Sequence, residues 1–136
     1  MRLLTALIIF PPSIGYAETH DVKMLTCGDT GAMVYEPAHL QIAPGDTVRF
    51  QPAQHGHNAA SISEMLPDGA ERFIGKIDEE VSVSFGIEGR YGIKCSPHYA
   101  MGMVMIVDVG EVDDAAPLPS ALPTRARARM SELLGP

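Results

Sequence analysis

The sequence has no tryptophan, and aromatics make up only 6% of its 136 residues. Its core must therefore rest on Val, Ile, Leu, Met, Phe and Tyr. Positive charge is scarce: ten Lys and Arg stand against seventeen Asp and Glu, a formal net charge of −7. Such a surface repels phosphates and anionic lipid, so neither nucleic acid nor an anionic membrane is expected as a partner. No apolar run reaches the roughly 20 residues needed to span a bilayer, because Pro11 and Pro12 cut short the one at the N-terminus. Membrane insertion is not expected. Only two cysteines are present, Cys27 and Cys95, enough for a single disulfide. No Ser-His-Asp-type arrangement and no second metal motif stands out, so the chain does not read as an enzyme.

What is present begins with a secretory signal over residues 1–17. Arg2 gives the positive start, Leu3 to Phe10 the apolar segment, and Gly15-Tyr16-Ala17 a small-x-small cleavage site. The mature chain is expected to start near Glu18, exported and soluble, with no cysteine at the junction to carry a lipid. Losing Arg2 takes the net charge from −7 to −8. Thirteen Gly and eleven Pro then punctuate the chain often enough to favour short strands over long helices.

Alternating apolar residues predict strands at Val22–Leu25, ending near Gly28, and at Gly31–Glu36, His39–Ile42 and Thr47–Gln51. A loop over 53–61 leads into a short strand, and Ser63–Met65 reads as one helical turn. Further strands follow at Val81–Phe85, Arg90–Cys95 and Met103–Val109. Strands at this spacing predict an all-β fold, an antiparallel Greek-key β-sandwich filling residues 18–110. Residues 111–136 form a tail in which Pro117, Pro119 and Pro123 prevent a long helix. Thr124 is placed to cap a helix from Arg125 to about Leu134, packing on the domain.

The chemistry is concentrated in Cys95-Ser96-Pro97-His98-Tyr99-Ala100-Met101-Gly102-Met103. A thiolate, an imidazole and a thioether lie within one loop between two strands, and Gly56-His57-Asn58 offers a second imidazole. Two His, one Cys and a weak axial Met form the donor set of an electron-transfer copper site. Structural zinc sites seldom use Met. Read from residues alone, His55 competes with His57 and Met101 with Met103, and Cys95 could pair with Cys27 in a disulfide. His20 and His39 have no donor neighbours in sequence and read as ordinary strand or surface histidines.

The order His…Cys-x-x-His-x-x-x-x-Met is similar to plastocyanins and pseudoazurins among the cupredoxins. Gly31 to Ala38, Pro44 to Val48, Met65 to Ala70 and Lys94 to Met103 resemble the pseudoazurins more closely still, and the likeness runs from about Glu18 to Gly110. It implies a cupredoxin-like blue copper protein holding one type 1 copper ion through His57, Cys95, His98 and Met103. It further implies that Asn58 ties the His57 loop to the Cys95 loop, that Pro97 stiffens the turn at His98, and that Met33 packs near the His98 ring. Function follows by the same implication: a monomer in the periplasm, passing single electrons near His98 to or from redox partners such as copper nitrite reductase, cytochromes or other respiratory enzymes. A periplasmic copper carrier or chaperone is the reading from another class; the protected single loop argues against it. Two departures stand out. Cys27, His55 and Ile74 occupy places where pseudoazurins tend to carry lysines, with Lys94 kept and Lys76 and Arg72 nearby. Cys27 is then a free thiol, expected to be half-buried at its strand end, the alternative being a thiol that permits disulfide-linked dimers.

Overall fold

The computed structural model describes residues 9–12 and 14–136. Most of the apolar segment expected of a signal, with Arg2, lies outside these residues. Turn residues break the alternating pattern into eight strands: β1 Thr19–Gly28, β2 Gly31–Glu36, β3 His39–Ile42, β4 Thr47–Gln51, β5 Ala60–Ser61, β6 Val81–Ser84, β7 Gly89–Lys94 and β8 Val104–Val109. They form two four-stranded sheets, in the orders β2-β1-β4-β6 and β3-β8-β7-β5. In the middle of β1 and β4 the residues that face the sandwich are apolar and buried: Val22 and Met24, Val48 and Phe50. Their neighbours Asp21 and Lys23 stand in solvent, as a pleat of period two requires.

The sandwich is the one expected, but its pairing is mixed. β1 pairs with β4 in parallel, and β3 with β8 in parallel; the remaining pairs are antiparallel. The chain switches sheets between β2 and β3 and again before β4. The returning strand therefore lies alongside β1 in the same direction.

β8 is buried along its whole length because both of its faces are covered. Met105, Val107 and Val109 join the main core between the sheets. Val104 and Ile106 face the other way, onto Ala126 and Met130 of helix α1, Thr124–Leu134. The helix starts differently from the expectation: Thr124 is its first helical residue, Pro123 holds the cap position, and no side chain caps it. Proline's fixed φ lets it lead straight into a helix without an N–H to satisfy. The expected helical turn at Ser63–Met65 is a simple turn, closed by the Met65 N–H donating to the Ile62 carbonyl at 2.9 Å.

Two histidines have partners that sequence distance concealed. His20 Nε2 lies 2.9 Å from Asp46 Oδ2, and His39 Nε2 lies 2.8 Å from Asp108 Oδ2. Arg90 grips the same Asp108 through two bonds of 2.7 and 2.9 Å and reaches Asp114 at 2.8 Å, tying the tail to β7 and β8. Among the described residues no helix is long and apolar enough to cross a membrane.

Candidate metal centre

β7 delivers Cys95 to the end of the sandwich, and β8 takes the chain back from Met103. Between them Ser96–Met101 forms a short 3₁₀ helix with Pro97 in its first turn. The Cys95 N–H donates to the Met103 carbonyl at 3.0 Å, and the His98 N–H to the Cys95 carbonyl at 3.1 Å. Gly102 ends the turn at φ 87°, where a Cβ would press on the Arg125 backbone at 3.0 Å. Only glycine tolerates both conditions.

A second loop, after β4, brings His57 alongside. Gly56 sits at φ 91°, and a Cβ there would stand 4.0 Å from His98 Cε1. The Asp78 carboxylate accepts the Gly56 N–H at 2.7 Å, while the Asp78 N–H donates to the His57 carbonyl at 2.9 Å. The loop is thereby pinned on both sides of the imidazole.

The two loops aim three donor atoms at one another. Cys95 Sγ lies 3.7 Å from His57 Nδ1 and 3.5 Å from His98 Nδ1, and the two Nδ1 atoms are 3.2 Å apart. The rings meet edge to face at an interplanar angle of 61°. His57 and Cys95 are completely buried, whereas His98 is partly exposed. Burial, reinforced by His98, holds His57 below the usual imidazole value, so its Nδ1 lone pair is free to donate. Burial likewise pushes the Cys95 thiol up, against backbone N–H groups of Asn58 and His98 that favour the thiolate. A buried thiol of this kind loses its proton readily only to a cation that replaces it.

Met103, on the same loop, is wholly buried in the main core with Cys95. Met101 is 46% exposed, and the His55 side chain is fully exposed. Two imidazoles presenting the same ring nitrogen to one thiol, with a thioether residue enclosed nearby, fit copper as a donor set. Neither cysteine forms a disulfide. Cys27 is exposed rather than half-buried, because it falls on the outward row of β1, opposite Val22 and Met24.

Supporting contacts fix the donors. Asn58 Nδ2 donates to the Gly75 carbonyl and to Ser96 Oγ, both at 3.0 Å, and its Oδ1 accepts the Ser96 N–H at 2.7 Å. This is a direct bridge between the two loops. Two further supports were not expected. Thr26 Oγ1 meets His57 Nε2 at 2.9 Å, fixing the ring by its outer nitrogen. The Tyr35 hydroxyl, buried in the core, donates to the Asn58 carbonyl at 2.7 Å. Sequence held a faint signal for each. Thr26 extends the inward row Val22–Met24 with a polar residue, and a tyrosine in a core must find a partner for its hydroxyl. Met33 packs against the main core with a positive φ of 53°.

The family of copper binding proteins, plastocyanin/azurin family, matches residues 22–110. The chain is 45% identical over 119 residues to a pseudoazurin of Paracoccus pantotrophus, spanning 85% of this chain and 81% of that one. A crystal structure of pseudoazurin from Methylobacterium extorquens superposes with a TM-score of 0.70 at 38% identity, covering 83% of this chain and 99% of that one. Native pseudoazurin from Hyphomicrobium denitrificans gives a TM-score of 0.71 at 33% identity, with 84% and 97% covered.

Proposed function

This chain belongs to the plastocyanin/azurin family of copper-binding proteins, among its pseudoazurins, and we propose that His57, Cys95, His98 and Met103 hold its type 1 copper for electron transfer in the periplasm. The observation that carries the ligand set is the meeting of His57, Cys95 and His98 donor atoms within 4.8 Å of one another. Burial of Met103, against the exposure of Met101, supports Met103 as the fourth donor. Copper held by such a set supplies a one-electron Cu(I)/Cu(II) couple.

The chain's own residues make that couple usable. Asn58 and Thr26 hold both loops in place, so the donors need little rearrangement when charge changes. Buried His57 and Cys95 keep water from the inner side. Partly exposed His98 is the electron's route, and exposed Pro97 and Ala100 beside it form the ground on which a partner docks. Residues 18–110 serve as the cupredoxin domain and residues 111–136 as a tail braced by α1. Export with cleavage after Ala17 accounts for the exposed apolar residues that precede Glu18.

Redox partners are respiratory enzymes such as copper nitrite reductase, or cytochromes. Mixing reduced, copper-loaded protein with oxidised copper nitrite reductase and following its reoxidation by stopped flow tests this reading. Saturable transfer that slows when Ala100→Glu places a charge beside His98 is expected. Absence of transfer to the reductase and to cytochromes alike would contradict it.

A further inference from the structure

At the opposite chemical extreme from the copper loops lies a polar node at the start of β1. The Glu18 N–H donates to Asp46 Oδ1 at 2.9 Å, and the Glu18 carbonyl accepts the Thr47 N–H at 2.8 Å. Asp46 Oδ2 accepts the Ala43 N–H at 3.1 Å and lies 2.9 Å from His20 Nε2. Asp46 is only 5% exposed, and the Glu18 N–H, then His20, hold its carboxyl below the usual value. It is therefore a buried anion at neutral pH. Glu18 is also where packing begins. Residues 9–12 and 14–17 are all exposed, with Ile9, Phe10, Ile14 and Tyr16 each 78–90% open to solvent.

The nitrogen that binds Asp46 is the one a signal peptidase would release. Hydrolysis of the Ala17–Glu18 bond adds the hydroxyl of water to the Ala17 carbonyl carbon and hydrogen to the Glu18 nitrogen, which then takes up a proton. A neutral amide donor becomes an ammonium facing a buried carboxylate. We propose that processing after Ala17 completes the fold, the new Glu18 ammonium closing an ion pair with Asp46 that the precursor cannot make. The exported form is then more stable than the chain that still carries its leader. This rests on the cleavage site put forward above.

The groups facing the pair are His20 and the Glu18 carboxylate; Asp21 and Arg49, three residues further along the chain on β1 and β4, neutralise each other at 2.7 Å. An α-amine held by Asp46 has its pKa raised above the ordinary range of about 7.7–8.0. Its contribution is complete below that range and lost as pH rises through the raised value. Asp46, lowered, keeps its share until pH falls through its own value.

The test compares the unfolding equilibria of copper-free protein starting at Glu18 and at Tyr16, alone and with Asp46→Asn. Charge-assisted bonds exceed neutral ones enough to expect an advantage of about five- to tenfold for the Glu18 form at pH 6.5, fading above pH 9 and absent in the Asp46→Asn pair. Should the variant fold poorly, nuclear magnetic resonance titration of the α-amine in the unmutated protein decides, with a raised pKa expected. Equal stabilities, or an ordinary amine pKa, overturn the ion pair. Mass spectrometry of the exported protein tests the premise separately: a first residue other than Glu18 overturns the proposal there, leaving the copper site unaffected.

Discussion

At the scale of single residues, the site depends on a few polar side chains that join its loops. Among the described residues Asn58 is the partner of the Ser96 N–H across the gap between loops. Asn58→Ala should destabilise the protein by about 2 kcal/mol, the order expected for losing a bridge of three hydrogen bonds from a buried side chain. Chemical denaturation measures this, and the reduction potential should shift with it. Tyr35→Phe is narrower: it keeps the ring and removes only the donor to the Asn58 carbonyl. A loss of about 1 kcal/mol with the copper colour retained is expected. The two methionines separate cleanly. Met103→Ala empties a fully buried site and should cost about 2–5 kcal/mol, with an altered visible spectrum. Met101→Ala, at an exposed position, should change neither; an unaltered spectrum in Met103→Ala would shift the axial role to Met101. Cys95, His98 and the Gly-His-Asn triplet were legible in the sequence because their chemistry is rare and compact. Thr26 was barely so: a polar residue on the inward row hints at a partner, but nothing marks that partner as His57, 31 residues away.

At the scale of elements, β2, β3 and β4 have the bounds that alternation and the flanking Pro and Gly indicate. The parallel pairs were not legible, because they follow from which sheet each strand joins rather than from any strand's own pattern. Nor was the clasp between strands and tail, whose members Arg90, Asp108 and Asp114 gain meaning only when brought together. Burial pushes the Asp108 carboxyl up, but Arg90 and His39 outweigh it and hold it below the ordinary value. A lowered carboxyl contributes stability that is present above its unfolded pKa and lost as pH falls through the folded one. The tail should therefore loosen on acidification below about pH 4. Asp108→Asn should reproduce that loosening at neutral pH at a cost of about 3 kcal/mol, since it leaves a mostly buried guanidinium with the exposed Asp114 as its counter-charge. Faster hydrogen exchange in α1 would show it; unchanged exchange would remove the clasp from the tail's support.

At the scale of the whole molecule, a rigid sandwich carries an acidic surface and gathers its soft donors at one end, with a single imidazole left partly open. The formal charge of −7 and the exposed Cys27, His55 and Ile74 are features of this chain that the docking proposed above must accommodate. The rest of the argument stands on whether those donors close on copper together. Adding Cu(II) to the purified metal-free protein and recording visible absorption and electron paramagnetic resonance is the most direct measurement. One equivalent should produce the intense colour of thiolate-to-copper charge transfer and the narrow hyperfine splitting of a covalent copper–sulfur bond, both lost in Cys95→Ala. A colourless complex with ordinary tetragonal splitting, or colour that survives Cys95→Ala, would contradict the site.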